Sequence, residues 1–222
     1  HGIGNSSYAQ RTGRPSRPFV MVCGHAGFTT GEDGPTHADP QALQLLQGNF
    51  PPGVCITLTP WDPQEIWPLM TTALQACPSV IAIFVTRPAV RIIDRRAVGF
   101  PNPARSTKGV YALRIADPSR PRHGTVVLQE SGTTYAFVEG VLPQLDKEHI
   151  NLNVYYVASS EMFDRLSSQE QDAAFPMTHR QEAMAITGFT LPTMYRWVTS
   201  EFGRQHSLHA FGSGHYPGSG QA

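Results

Sequence analysis

Gly24-His25-Ala26-Gly27-Phe28-Thr29-Thr30-Gly31-Glu32-Asp33-Gly34-Pro35-Thr36-His37 follows directly on the apolar run Pro18 to Cys23. It packs two histidines, two acids and four glycines into fourteen residues. A strand that runs into such a loop is how open α/β sheets present ligand sites, beyond the carboxyl ends of their strands. The glycines let the backbone turn tightly and approach a ligand closely. His25 and His37, near their ordinary pKa, can donate to phosphate or shuttle protons. Asp33 can accept a hydrogen bond from a substrate hydroxyl. Arg87 ends a later apolar run and offers a fork for a phosphate. The same residues also suit simpler roles. Asp33-Gly34-Pro35 is good turn chemistry, and an arginine at a strand end often forms a surface ion pair. The spacing of His25 and His37 matches no common zinc pattern.

Outward from this loop the chain alternates strands and helices. Residues 1–17 read as a loop or arm. Pro18 to Cys23 reads as a short buried strand, and Pro40 to Gln47 as a helix with Asp39 at its N-cap and Pro40 at its first position. Val54 to Leu58 is a strand. Asp62-Pro63 starts a helix to about Ala76, with an apolar stripe of Ile66, Leu69, Met70 and Leu74. Val80 to Thr86 is a continuously apolar strand, as a parallel sheet covered on both faces requires. This is a βαβ pattern. From Pro88 to His123 the pattern dissolves, apart from a strand-like piece at Val110 to Ile115. A second α/β pattern follows: strand Thr125 to Gln129, helix Thr133 to Leu145, strand Leu152 to Ala158, and a short helix Ser160 to Leu166 with Ser160 and Ser167 as candidate caps. Strand Ala183 to Gly188 and helix Leu191 to Phe202 complete it. The expected fold class is α/β: two three-layer α/β/α domains with mostly parallel sheets, over residues 1–100 and 124–222, joined by a linker at 101–123.

Lys plus Arg and Asp plus Glu each number 17 in 222 residues, so the formal net charge is zero. This gives no electrostatic case for nucleic acid or an anionic membrane as a partner. The basic side chains are nearly all arginine, which suits bidentate binding of phosphate or carboxylate. Cys23, Cys55 and Cys77 lack metal-ligand spacing. Cys23 and Cys55 lie in apolar runs and read as reduced thiols, which fits a cytoplasmic protein. No apolar run approaches the roughly 18 residues of a membrane span, and no signal peptide is visible. His206, His209 and His215 are too loosely spaced for a metal site and read as surface histidines. Ser131-Gly132-Thr133 follows a strand; it suits an anion at a helix N-terminus or a plain βα connection. The first residue is His, and Gly218 to Ala222 reads as the approach to a further helix, so the chain is expected to be part of a longer one.

Gly31-Glu32-Asp33-Gly34-Pro35-Thr36-His37, preceded by His25, closely resembles the signature of transketolases in their pyrimidine-binding domain. The strand ending in Thr86-Arg87 resembles a later strand of that domain, and Val154 to Asp164 (Val-Tyr-Tyr-Val-Ala-Ser-Ser-Glu-Met-Phe-Asp) resembles the family's C-terminal domain. The resemblance runs from Phe19 onward, densely in the loop and thinly elsewhere. It implies the C-terminal half of a thiamine-diphosphate enzyme that moves a two-carbon ketol unit between sugar phosphates. It also implies roles. His37 lies near the reacting carbons and assists binding and proton transfer, as a catalytic residue together with His25. His25 and Arg87 hold substrate phosphate, and Asp33 bonds a substrate hydroxyl. The groups that activate thiamine diphosphate, and those that bind its diphosphate and its Mg2+ or Ca2+, belong to sequence outside this chain. The implied partners are sugar phosphates and the diphosphate-binding half, as an N-terminal domain or a separate subunit, in a homodimer or heterotetramer. Ala26-Gly27 stand where many relatives have Asp-Ser. Another thiamine enzyme with a different donor or acceptor, or a non-catalytic regulatory or assembly subunit, would share these features.

Overall fold

The computed structural model describes residues 11–13, 17–24, 27 and 39–214. Seven strands form two sheets. The first contains β1 (Phe19–Cys23), β2 (Cys55–Leu58) and β3 (Val80–Phe84) in the order β1-β3-β2, all parallel. The second contains β4 (Val110–Arg114), β5 (Gly124–Gln129), β6 (Leu152–Val157) and β7 (Ala183–Thr187) in the order β4-β6-β5-β7. Here β6, β5 and β7 are parallel and β4 is an antiparallel edge. This is the α/β architecture with mostly parallel sheets that the sequence implies. The strand-like piece between the two patterns is β4.

The helices follow local chemistry. Asp62 accepts a hydrogen bond from Gln64 N at 2.8 Å and caps a 3-10 turn, Pro63–Glu65, which continues into the helix Ile66–Gln75, with Asp62 and Pro63 as the expected start. Of the expected stripe, Leu69 is buried and Met70 packs partly buried on the core, while Ile66 and Leu74 are exposed; Ala73 joins Leu69 on the buried face. The first helix, Ala42–Asn49, begins later than expected. Asp39 accepts from Gln41 N at 3.1 Å in a turn instead of capping the helix. After β5 the helix Ser131–Ala136 widens into a π turn over Phe137–Val141 before Leu142–Lys147. Pro143, which lacks an N–H and crowds the carbonyl four residues back, accounts for the widening.

Three further expectations are corrected. Ser159, not Ser160, caps the helix Ser160–Asp164, through Met162 N at 3.2 Å. Ser167 does act as a cap, as expected, but of a separate helix, Ser168–Ala174, which it starts in a reciprocal capping box with Glu170. No single helix spans Leu191 to Phe202. A 3-10 turn at Leu191–Met194 is followed by a new helix, Glu201–Gln205, capped by Ser200. Strand β1 is also not buried throughout: Met21 and Cys23 pack on Leu43, Ala82 and Phe84, while Phe19, Val20 and Val22 are exposed. It is an edge strand, and the apolar packing reaches it on one side only.

The two sheets are joined directly. Thr59, just past β2, donates its N–H to Ala158 O at 2.8 Å and its hydroxyl to Val157 O at 2.9 Å, and its carbonyl accepts from the Tyr156 hydroxyl. One hydrophobic cluster runs from Ile56, Leu58, Leu69 and Ile81 to Leu113, Leu128, Val154 and Tyr156. No helix among the described residues is long and apolar enough to cross a membrane.

Candidate functional site

Because β1 and β3 are neighbours and parallel, their carboxyl ends lie side by side. The glycine-rich loop leaves β1 at Gly24, and Thr86-Arg87 leaves β3. A Cβ placed on Gly24 would lie 3.2 Å from Arg87 Cγ, so the Arg87 stem runs against the start of the loop. Arg87 is exposed there. The structure thus brings Arg87 to the loop's entry. His25, Asp33 and His37 lie outside the described residues.

Gly27, by contrast, is described and buried, with φ +78. A Cβ on it would lie 2.5 Å from Glu130 Cγ and 2.7 Å from Glu130 Oε1. A Cβ on Gly188, just past β7, would lie 2.6 Å from Glu130 Oε2. Glu130 follows β5 and is itself buried, with φ +86 and ψ 144. That backbone region is rarely adopted by a side-chain-bearing residue and costs on the order of 1–3 kcal/mol. Its carboxylate accepts from Gly132 N at 2.7 Å and Thr133 N at 2.8 Å. The Gly132 and Thr133 N–H groups, which the sequence offered to an anion, are therefore taken by the chain's own carboxylate. Phe84 and Phe189 meet edge to face at 5.6 Å beside this crevice, which Thr59, Thr86 and Ser131 also line.

Below the site, Arg95 lies buried between two acids, 2.8 Å from Asp62 Oδ2 and 2.8 Å from Glu65 Oε1. Glu65 also accepts from the Tyr111 hydroxyl and from Trp61 N at 3.3 Å; Trp61 Nε1 donates to the Tyr111 oxygen at 2.8 Å. Arg95 stacks 4.9 Å over the Trp61 ring. One guanidinium serves two carboxylates. Burial therefore pushes Glu65 up to about 7, against the opposing pull of Arg95, Tyr111 and Trp61. Asp62 and Glu65 come from the start of the helix between β2 and β3, Tyr111 from β4 and Arg95 from the segment between β3 and β4. The cluster ties the site-bearing sheet to the second one.

A cavity of about 440 Å³ opens at the other, amino end of β2, away from Arg87, and is lined by Gln47, Phe50, Cys55, Glu161, Arg165 and Arg196 among others. Glu161 accepts from Thr57 N at 3.0 Å and Thr57 Oγ1 at 2.7 Å. Burial raises its pKa, and burial with Glu161 close by pushes the Cys55 thiol up to about 12. Cys55 is a buried free thiol, as expected; Cys23 is half-buried and Cys77 exposed. His206 packs on Phe202 and His209 accepts from Phe211 N at 3.2 Å; His215 lies outside the described residues. Among the described residues no group of three or more His, Cys, Asp or Glu is placed to hold a metal ion.

No protein-family model matches the chain. The chain is 30% identical over 197 residues to the transketolase of Aquifex aeolicus, a match covering 87% of this chain and 26% of that protein. Among solved structures, the transketolase of Campylobacter jejuni superposes with a TM-score of 0.65 at 18% identity, covering 91% of this chain and 28% of that one. In sequence and in fold the chain is thus similar to part of a transketolase. A structure described as a split-gene transketolase, an inactive β4 tetramer, gives a TM-score of 0.52 at 15% identity and covers 94% of this chain and 62% of its own. The chain spans about a quarter of the length of the curated transketolases it matches. The structural likenesses establish the fold.

Sequence reasoning did not single out Glu130 or the Arg95 cluster. A glutamate directly after an apolar strand and before Ser-Gly-Thr was a usable cap signal for Glu130. Nothing in local spacing marks Arg95, because its two acid partners, Asp62 and Glu65, lie 33 and 30 residues before it in the chain.

Proposed function

We propose that this chain supplies the substrate-binding half of a transketolase, which moves a two-carbon ketol unit between sugar phosphates with thiamine diphosphate. The observation that carries this reading is the meeting of Gly24 and Arg87 at the carboxyl ends of β1 and β3. It sets a phosphate-binding guanidinium at the entry of a loop that bears the transketolase signature. Arg87 and His25 hold the phosphate, Asp33 accepts from a sugar hydroxyl, and His37 binds and moves a proton near the reacting carbons. Thiamine diphosphate, when bound, supplies the carbon that carries the ketol unit. The described residues present no metal-binding cluster for its Mg2+ or Ca2+. Its diphosphate and metal are assigned to the diphosphate-binding half, as part of the same polypeptide or as a subunit, in a homodimer or heterotetramer. The residues up to about 100 form the pyrimidine-binding domain and those from about 124 the C-terminal domain, with the protein in the cytoplasm.

The test is ketol transfer from xylulose 5-phosphate to ribose 5-phosphate by the assembled enzyme with thiamine diphosphate and Mg2+. Absence of transfer to any sugar phosphate overturns the reading. With Arg87→Ala, KM for phosphorylated sugars should rise about 10- to 100-fold, the worth of one or two charge-assisted hydrogen bonds, while unphosphorylated acceptors change little. Equal effects on both would remove Arg87 from the phosphate site.

A second reading is an assembly subunit that keeps the fold without turnover. The likeness to the split-gene β4 structure over 62% of that chain supports it. It predicts folding and partner binding with no transfer in any assembled form.

A further inference from the structure

Glu130 is a buried acid that touches both Gly27 of the site loop and Gly188 past the second sheet's β7. Its side chain lies between two glycines from distant segments, Gly27 of the loop and Gly188 past β7, each so close that a Cβ there would collide with it. Its carboxylate is fixed from behind by the N–H groups of Gly132 and Thr133. Its own backbone holds a φ of +86, which glycine adopts freely and glutamate does not. Backbone strain that persists in a well-packed place is retained where the surroundings over-determine it, commonly at functional sites. A glycine at position 130 would relieve the strain and cap nothing, so the side chain has a task that the backbone alone would not require.

We propose that Glu130 is a positioning residue that seats the site loop on the second sheet. Its side chain fills the space between Gly27 and Gly188 and so fixes where the loop sets out from β1. Gly24, three residues before Gly27, lies against the Arg87 stem. The height of Gly27 therefore sets how the loop's entry meets the phosphate-binding guanidinium. Glu130 need not touch substrate. It acts through Gly27, and the two glycines are the complement its carboxylate requires: any larger side chain at either position would displace it. The catalytic part of this inference rests on the function proposed above; the anchoring part does not.

Two readouts separate the parts. The first is amide exchange of the segment holding Gly24 and Gly27, measured by mass spectrometry on the full chain. Glu130→Gly should speed that exchange at least tenfold, while the thermal midpoint falls only modestly, because relief of the backbone strain offsets part of the lost cap and packing. Glu130→Gln, which keeps the shape between the glycines, should restore most of the protection. Gly27→Ala should speed exchange as well, and the double variant Gly27→Ala with Glu130→Gly should be no worse than either single change. Exchange at Gly27 that is unchanged in Glu130→Gly, or effects that simply add in the double variant, overturn the anchor. The second readout is the assembled enzyme's KM for sugar phosphates, which should rise severalfold in Glu130→Gly with a smaller change in kcat. Exchange that responds while KM does not overturns the link from anchor to phosphate site. A wild type that shows the exchange coupling but no ketol transfer defeats the proposed function and leaves the anchor standing.

Discussion

In the second sheet every residue of β5 from Thr125 to Gln129 and of β6 from Asn153 to Val157 is buried. In the first sheet β1 leaves Phe19 56%, Val20 40% and Val22 67% exposed. The two sheets share an architecture, and β2 and β3 of the first are as buried as β5 and β6; the difference lies in β1, the exposed edge from which the loop leaves. The second is bounded by an antiparallel edge, β4, and covered on both faces. The first, which carries the signature loop and Arg87, is covered on one side of β1 and depends on its neighbour. Three joints make the dependence concrete: the Arg95 cluster, Thr59 at the end of β6, and Glu130 against Gly27. A site can thus sit at the exposed edge of one sheet when the other sheet holds it in place.

The sharpest way to break this comparison is to remove Arg95. Arg95→Ala leaves Asp62 and Glu65 buried without their shared cation and should cost about 3–5 kcal/mol in denaturant unfolding. A loss below about 1 kcal/mol would mean that the sheets do not depend on this joint.

What the sequence made legible follows from where its signals were local. The run Val80 to Thr86 was recognisable because a parallel strand buried on both faces is continuously apolar; Thr125 to Gln129 and Leu152 to Ala158 stood out as short, mostly apolar runs in an alternation with helices. Asp62-Pro63 gave the start of a helix because capping is a contact between near neighbours. The exposure of β1 was illegible for the same reason that the buried strands were clear: an apolar run does not say which of its faces finds a partner. The helix Ser168–Ala174 had a usable local signal in Ser167 and Glu170. Of the candidate site, the signature and Arg87 could be found by their place after strands, whereas the clamp on Gly27 depends on contacts between segments far apart in the chain.

The next effect concerns pH. Glu65 is raised from an ordinary 4.5 to about 7 in the folded protein. Between these values the folded state binds more protons than the unfolded one. Its contribution is therefore fully present below about pH 4.5 and is lost as pH rises through about 7, a decline of up to ~3 kcal/mol. Glu65→Gln should flatten that part of the stability profile. A slope unchanged by the substitution would place the titration elsewhere and weaken the account of the joint as one cation shared by two acids.

The smallest effect measures the difference in enclosure directly. Val127→Ala, at a fully buried position of β5, should cost about 2 kcal/mol, whereas Val22→Ala should stay within about 0.5 kcal/mol. Equal costs in chemical denaturation would erase the contrast between the buried strand and the exposed edge.

The clamp on Gly27 also has a consequence for the order of assembly. Glu130 meets a residue near the start of the described chain on one side and a residue just past β7 on the other. Both contacts close long loops, and the entropy of closing them must be met before either contact rewards it. Strands within one sheet can pair while the clamp is still open, but Gly27, Glu130 and Gly188 meet only once both sheets stand side by side. The seat of the loop is therefore a late product of folding, and a chain cut short just before Gly188 would retain all seven strand segments while losing one jaw of the clamp.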